Sequence, residues 1–387
     1  MGALSGIRVL DFTRVVAGPY CTMLLGDLGA EIVKVEQPGQ GDDTRSWGPP
    51  FIEGESAYFL GINRNKKSMC LDLHEKHDLE VAYQLMRQSD VVIENFRSGV
   101  MERFGLGYEN WCQHYPGLIY CAISGFGRTG PYKDRAGYDV MVSAMGGLMS
   151  ITGTPEGAPV KTGVALTDVI TGLNAFSAIL AALYHRERTG QGQRIDVSLL
   201  SAELAALINA ASSYLISGEI PEPQGSAHSS IVPYQAFRAS NGYLMIGAAN
   251  DKLFRRFCQA VGHPEWATDE RYLSNANRVQ NREELITQIE AIIQTDTVQV
   301  WENRLVAAGV AVAPVNHMDQ VFHDPQVISS QQVVTIAHPS VGDVKMVGPA
   351  VTYSLTPALV TTPPPRLGEH TEEIIKALMD ANKEDQS

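Results

Sequence analysis

A chain of 387 residues, 44% hydrophobic and 19% charged, can bury a large core and has a length that suggests two or three domains, which excludes disorder for most of it. Its formal net charge of −13 argues against nucleic acid or an anionic membrane as the main partner. The expected partner is therefore a small molecule, with no nucleic acid and no membrane.

The first third alternates strand and helix. Arg8 to Phe12 reads as a strand, Pro19 to Leu28 as a helix closed by Gly29, and Glu31 to Glu36 as a second strand, a βαβ unit that implies a parallel sheet. Strand at Ser68 to Leu73, helix at Asp78 to Gln88, and strands at Val91 to Glu94 and Leu118 to Ser124 continue the pattern. A long helix through Asp168 ends at Thr189-Gly190, followed by a strand at Gln193 to Val197 and a helix from Leu199 to Ile216. This grammar predicts a doubly wound, Rossmann-like α/β domain, with ligands at the carboxyl ends of its strands, in the loops after Phe12, Glu36, Glu94 and Ser124.

Pro221 to Gly225 reads as a linker, after which the pattern changes. Ala236 to Ser240, Asn241-Gly242 and Tyr243 to Gly247 predict a hairpin whose Asn-Gly turn has positive φ at both positions. Helices at Asp251 to Val261, Arg282 to Ile293 and Val298 to Ala308 and a strand at Val310 to Val315 complete a smaller α+β domain. A strand at Gln332 to Ala337 and a helix at Glu372 to Met379 follow, and the tail Asp380 to Ser387 is expected to fray. The expected organisation is a large α/β domain over 1–200, helix and linker over 201–225, the small domain over 226–325, and a return over 326–387 that completes the large domain from the other chain end.

Five scattered cysteines, Cys21, Cys70, Cys112, Cys121 and Cys258, form no C-x-x-C pair, which predicts a reducing compartment and no structural metal site. No apolar run reads as long enough to span a membrane, and the first strand begins almost at once. A cytoplasmic protein is expected, or a mitochondrial-matrix one if the chain is a processed eukaryotic product.

Asp168 is the most informative residue. It follows a Gly-rich stretch and precedes Val169, Leu173, Phe176, Leu180 and Leu183 at helical spacing, so it falls in a helix's first turn. There the positive end of the helix favours the ionised carboxylate, which would suit a nucleophile at neutral pH. The alternative is that Thr167 or Asp168 only caps the helix. Gly125-Phe-Gly127-Arg-Thr-Gly130 matches a dinucleotide fingerprint, but no amphipathic helix follows it. Arg14, Arg45, Arg64, Lys66, Lys67, Arg97, Arg103, Arg128, Lys133 and Arg135 fall largely in predicted loops of the parallel domain, where they suit a phosphorylated ligand; the competing reading makes about half of them solvated surface charges.

Several motifs occur together in order: Gly18-Pro-Tyr-Cys-Thr-Met-Leu-Leu-Gly-Asp-Leu-Gly-Ala-Glu-Ile-Val-Lys-Val-Glu36, Asn63-Arg-Asn-Lys-Lys-Ser68, Glu94-Asn-Phe-Arg97, Gly125-Phe-Gly127 with Gly130-Pro131, Gly137-Tyr-Asp139, Asp168 and Thr189-Gly-Gln-Gly192. In these the chain resembles the family III CoA-transferases of the formyl-CoA/carnitine type. Ala227 to Phe237 and Pro363 to Thr371 look most like the succinate–hydroxymethylglutarate (glutarate) branch.

The resemblance implies that Asp168 attacks a donor thioester such as succinyl-CoA. A mixed anhydride and CoA thiolate form, and the thiolate returns to give an aspartyl-CoA thioester that a dicarboxylate acceptor then discharges. It implies a CoA site of Arg14, Ala17, Asn95, Phe96, Arg97, Arg103, Arg135 and Tyr138, with Arg103 and Arg135 as phosphate partners and Phe96 against adenine or in the core. It implies CoA as substrate and product with no permanently bound cofactor and no metal, and an interlocked homodimer. Two departures stand out: Gly247-Ala-Ala-Asn-Asp251 replaces a glycine-run lid, and Val16 replaces a glutamine that helps hold the acyl group. Three rivals are an α-methylacyl-CoA racemase, which needs a histidine where Tyr138 stands, a nicotinamide-dependent oxidoreductase, and a non-catalytic CoA-binding relative.

Overall fold

The computed structural model describes residues 1–384. It divides the chain into two compact units: Met1–Met149, Lys161–Ile220 and the chain from Ile328 onward form the larger, and Ser150–Val160 with Pro221–Val327 form the smaller. The segment 150–160 thus goes with the smaller unit, although the sequence reading places it in the first stretch.

In the larger unit, β1 (Arg8–Asp11), β2 (Glu31–Glu36), β3 (Lys66–Cys70), β4 (Val91–Glu94), β5 (Ile119–Ser124) and β6 (Arg194–Ser198) form one sheet in the order β3-β2-β1-β4-β5-β6. All neighbouring pairs are parallel. The chain winds outward from β1 in one direction and from β4 in the other, so the crevice at the carboxyl ends of β1 and β4 is where such sheets hold ligands.

Both faces of the sheet are covered, which is why its strands read as apolar runs. Leu10, Val92 and Tyr120 face one core with Val81, Leu85, Ile374 and Leu378. Val9, Ile93, Ile119 and Cys121 face the other with Leu25, Ala175 and Ile179, as the period-2 alternation of a strand requires.

The helices that matter for the site are α1 (Ala17–Asp27), α2 (Lys76–Arg87), α3 (Asp139–Gly146), α4 (Leu166–Thr189) and α5 (Leu199–Ala206). Gly172 lets α4 approach α1 closely, since a Cβ there would stand 2.6 Å from the Ala17 carbonyl oxygen. Asp168 is one turn earlier on the same helix face, so this contact brings it next to the start of α1. Contrary to the sequence expectation, α4 is long and apolar enough to cross a membrane by length and composition. Its Ala175, Ile179 and Ala182 are fully buried against the sheet, as in a core helix.

Other expectations are corrected locally. The expected helix Leu199 to Ile216 breaks after α5 into Ile208–Ser217, bent by 79°, with Ile208 at φ 37°. The expected strand Gln332 to Ala337 is one arm of a hairpin, Val333–His338 with Gly342–Val347. The final helix runs Thr371–Glu384, so Asp380 to Glu384 are helical rather than frayed; 385–387 lie outside the described residues.

The smaller unit has a three-stranded antiparallel sheet of Tyr234–Ala239, Gly242–Gly247 and Ala311–Pro314, packed through Phe237, Leu244, Ile246, Phe254, Phe257 and Trp301. Its hairpin turns at Ser240-Asn241, because Gly242 already pairs with Ala239. Asn241 has no positive φ; its Oδ1 accepts the Val298 N–H at 2.9 Å at the start of the distant helix Val298–Ala307, a tertiary role that displaces the expected turn.

Candidate active site

A cleft opens at the carboxyl edge of β1, β4 and β5. The segment after β1 supplies Arg14, Val15, Val16 and Ala17, the loop after β4 supplies Asn95, Phe96, Arg97 and Ser98, and the end of β5 supplies Ser124 with Gly125 just beyond it. Lys133, Arg135, Gly137, Tyr138, Asp168 and the acidic Asp43 also line it. Gly125 touches Gly137 backbone to backbone, a Cβ on Gly125 standing only 2.6 Å from the Gly137 Cα, so these two walls meet where no side chain fits.

Asp168 is the third residue of α4 and is 9% exposed. Neither it nor Thr167 caps the helix: the N-cap is Ala165, without a side-chain bond. The Thr167 hydroxyl instead donates to Glu203 Oε2 at 2.5 Å and meets Ser143 Oγ at 2.8 Å, tying α4 to α5 and α3. The Asp168 carboxylate accepts no hydrogen bond among the described residues, while its backbone N–H donates to Asp139 Oδ1 at 3.2 Å.

Burial first, and then the charge of Asp139, push the Asp168 carboxyl up to about 7. This overturns the expectation that the helix start keeps it readily ionised. A rise of that size is worth about 4 kcal/mol, whereas a helix N-terminus offers only about 0.3–1 kcal/mol. Asp168 therefore titrates near neutrality as a desolvated carboxyl group.

Of the residues implied for CoA, Arg14, Ala17, Asn95, Phe96, Arg97, Arg135 and Tyr138 line this cleft with Asp168. Arg103 does not; it closes the short helix Val100–Arg103 with its side chain exposed. Asn95 spends both ends of its amide on the neighbouring backbone, accepting from the Arg14 N–H at 2.9 Å and donating to the Arg14 carbonyl at 2.8 Å, so it shapes the cleft rather than offering it a free group. Arg14 pairs with Asp43 at 3.2 Å and lies over Phe96. Arg135 lies over Phe126 and Tyr132 and pairs with no carboxylate among the described residues.

Half of the ten basic residues proposed for a phosphorylated ligand are instead internal or paired structural groups. Arg45 holds Glu36 through two 2.7 Å contacts, Arg64 holds Asp27 at 2.9 and 2.7 Å, and Lys66 is fully buried 3.5 Å from Asp11. Lys67 pairs with Glu31 and Glu373, and Arg128 with Glu94 and Glu102. Arg14, Arg97, Lys133 and Arg135 are the basic residues that face the cleft.

Asp139 was not singled out from sequence as a neighbour of Asp168; its position directly after Gly137-Tyr138 was the available signal. A second cavity adjoins the first, sharing Arg14 and Phe96, and is lined by Phe12, Leu71, Leu73, His74, Val100 and Phe104. The Gly125 to Gly130 segment is irregular, bent chain, with no helix start for a dinucleotide phosphate. Among the described residues no cluster of His, Cys, Asp or Glu could hold a metal ion.

Known proteins resemble the chain in sequence and fold. The chain is 46% identical to the succinyl-CoA:glutarate CoA-transferase of Mus musculus over 379 residues, which cover 98% of this chain and 87% of that one. It is 43% identical to the succinate–glutarate CoA-transferase of Agrobacterium fabrum over 97% of this chain and 95% of that one. The crystal structure of a CAIB/BAIF family protein from Brucella suis superposes with a TM-score of 0.88 at 40% identity, covering 97% of this chain and 99% of that one. The description of CoA-transferase family III matches residues 4–371, nearly the whole chain, which therefore belongs to that family of enzymes.

Proposed function

We propose that the enzyme transfers CoA from succinyl-CoA to glutarate through a thioester on Asp168. The observation that carries this reading is the Asp168 carboxyl itself: nearly buried, unsolvated by any hydrogen-bond donor, titrating near neutrality and opening onto a cleft with basic residues. A desolvated carboxylate is a stronger nucleophile than a hydrated one, and burial keeps water from an anhydride.

In the first half-reaction an Asp168 oxygen attacks the thioester carbon, the C–S bond breaks, and CoA leaves as thiolate. The thiolate then attacks the Asp168 carbonyl of the mixed anhydride, releasing succinate and leaving aspartyl-CoA thioester. Glutarate attacks that thioester and the same steps run backward, so no proton, electron or resident cofactor is consumed. The N–H groups of Ala17 and Gly18 have no intrahelical acceptor at the start of α1 and offer partial positive charge to a developing oxyanion.

We place the pantetheine arm along the cleft with Arg97, Lys133 and Arg135 near the phosphates, and the adenine in the adjoining cavity against Phe96. Arg103 is kept as a phosphate contact at the outer end. The larger unit is thus the CoA-binding one. Ile208, Leu215 and Ile216 are 72%, 80% and 86% exposed in this chain, which supports a homodimer that covers them. All five cysteines are free, consistent with a reducing compartment, cytoplasmic or mitochondrial.

The test is intact mass after incubation with succinyl-CoA, with hydroxylamine as trap. A CoA-sized adduct present in the wild type and absent in Asp168→Ala is expected. An adduct that persists in the variant refutes the nucleophile assignment; discharge by other dicarboxylates but not by glutarate refutes the acceptor.

A further inference from the structure

Val15 has a φ of 71°, in the left-handed region that a β-branched residue enters only when its surroundings impose it. It lines the cleft, and so do Arg14 before it and Val16 and Ala17 after it. Side chains from other segments engage the backbone on this stretch. Lys34 Nζ donates to the Thr13 carbonyl at 2.6 Å, Asn95 brackets Arg14, and Asp42 Oδ1 accepts the Val15 N–H at 3.1 Å.

Asp42 is itself held rigidly. Its side chain and that of Lys34 are wholly buried and 2.9 Å apart. Its N–H donates to Glu36 Oε2 at 2.9 Å, and Thr44 donates both its N–H and its hydroxyl to Asp42 Oδ1, at 3.0 and 2.8 Å. Lys34 sits between Asp42 and Thr13, so one ammonium group ties the loop after β2 to the loop after β1. A carboxylate fixed on so many sides offers Val15 an acceptor at one place only.

We propose that Asp42 is a positioning residue for acyl transfer: it locks Val15 in the left-handed conformation that sets Val16 and the start of α1 against the reacting thioester. The proposal rests on the reading of Asp168 as nucleophile. It differs from a purely structural role because its effect passes through one backbone torsion. Glycine adopts that torsion without a side-chain penalty, so glycine at position 15 removes the need for the lock.

The experiment is a double-mutant cycle on the full-length enzyme, measuring kcat and KM for succinyl-CoA with glutarate as acceptor, with Asp168→Ala run alongside. Asp42→Ala is expected to lower kcat by about tenfold or more while KM changes less than about threefold. Val15→Gly, which also strips a side chain from the cleft wall, supplies the reference for the cycle whatever its own rate; Asp42→Ala is expected to lower kcat about fivefold less in that background than in the wild type, a rescue of one lesion by the other. Absence of that rescue, or a loss confined to KM, overturns the proposal.

Should Asp42→Ala not fold, hydrogen exchange on the wild type decides. Protection of the Val15 amide like that of Val9 and Leu10 in β1 is expected, and exchange as fast as an open loop overturns the lock. An Asp168→Ala enzyme that still forms the CoA adduct sinks the nucleophile reading instead, whatever the Asp42 variants do.

Discussion

Asp139→Asn isolates one of the two forces that hold the Asp168 proton. Asparagine keeps an oxygen for the Asp168 N–H but removes the negative charge. Burial is the larger cause of the rise from 3.8 to about 7 and Asp139 the smaller, so Asp139 accounts for less than half of it. The variant's Asp168 should therefore titrate lower by at most about 1.5 pH units, or about 2 kcal/mol.

On the reading of Asp168 as nucleophile only its ionised form attacks, so the rate of adduct formation from succinyl-CoA should rise through an acid limb near pH 7 in the wild type. In Asp139→Asn the limb should move to lower pH. At pH 6 the ionised fraction would grow from about a tenth to as much as three quarters, an acceleration of up to about eightfold that vanishes above pH 8. Stopped-flow or quenched-flow mass measurement across pH 5 to 9 reads this directly. An unmoved limb would show that Asp139 does not act on Asp168 electrostatically; a limb near pH 4 would show that burial contributes nothing.

The same displaced proton has a stability consequence. Asp168 ionises at about 3.8 unfolded and about 7 folded, so the folded protein binds more protons between these values and loses stability as pH rises through that window. Asp168→Asn should therefore raise Tm at pH 8, by the equivalent of up to about 4 kcal/mol, and leave it unchanged at pH 3. Arg64→Met strands Asp27 in the interior and should cost about 3–5 kcal/mol in denaturant titration while leaving KM for succinyl-CoA unchanged, as befits an internal pair. Gly172→Ala should push α1 from α4 and cost about 1–3 kcal/mol, with a fall in kcat because Asp168 shares that helix face.

What the sequence made legible was what local pattern controls. Apolar runs marked β1, β2, β4 and β5 because these strands are covered on both faces, and the spacing after Asp168 placed it in a first helical turn, as found. Long-range pairing was not legible. Nothing near Arg64 or Lys66 announces Asp27 or Asp11, each about 40 or more residues earlier, so buried ion pairs looked like ligand contacts. Asn241 was read as a turn residue because its bond to Val298 spans 57 positions. The break at Ile208 carries no glycine or proline to signal it, and the carboxyl's displaced titration comes from burial and, second, from Asp139, both of which only folding brings about.

The Thr167 hydroxyl lies where three helices meet, with Glu203 from one side and Ser143 from the other, on the residue just before Asp168. Such a joint works as a surveyor's fix: a point sighted from three bearings stays put when one bearing wavers. Sliding of a single helix is resisted by the other two, so the outward surfaces of all three can change while the backbone at Asp168 stays in place. On the reading of Asp168 as nucleophile, reshaping the loops at the cleft mouth changes which acid is admitted while the attacking oxygen keeps one address.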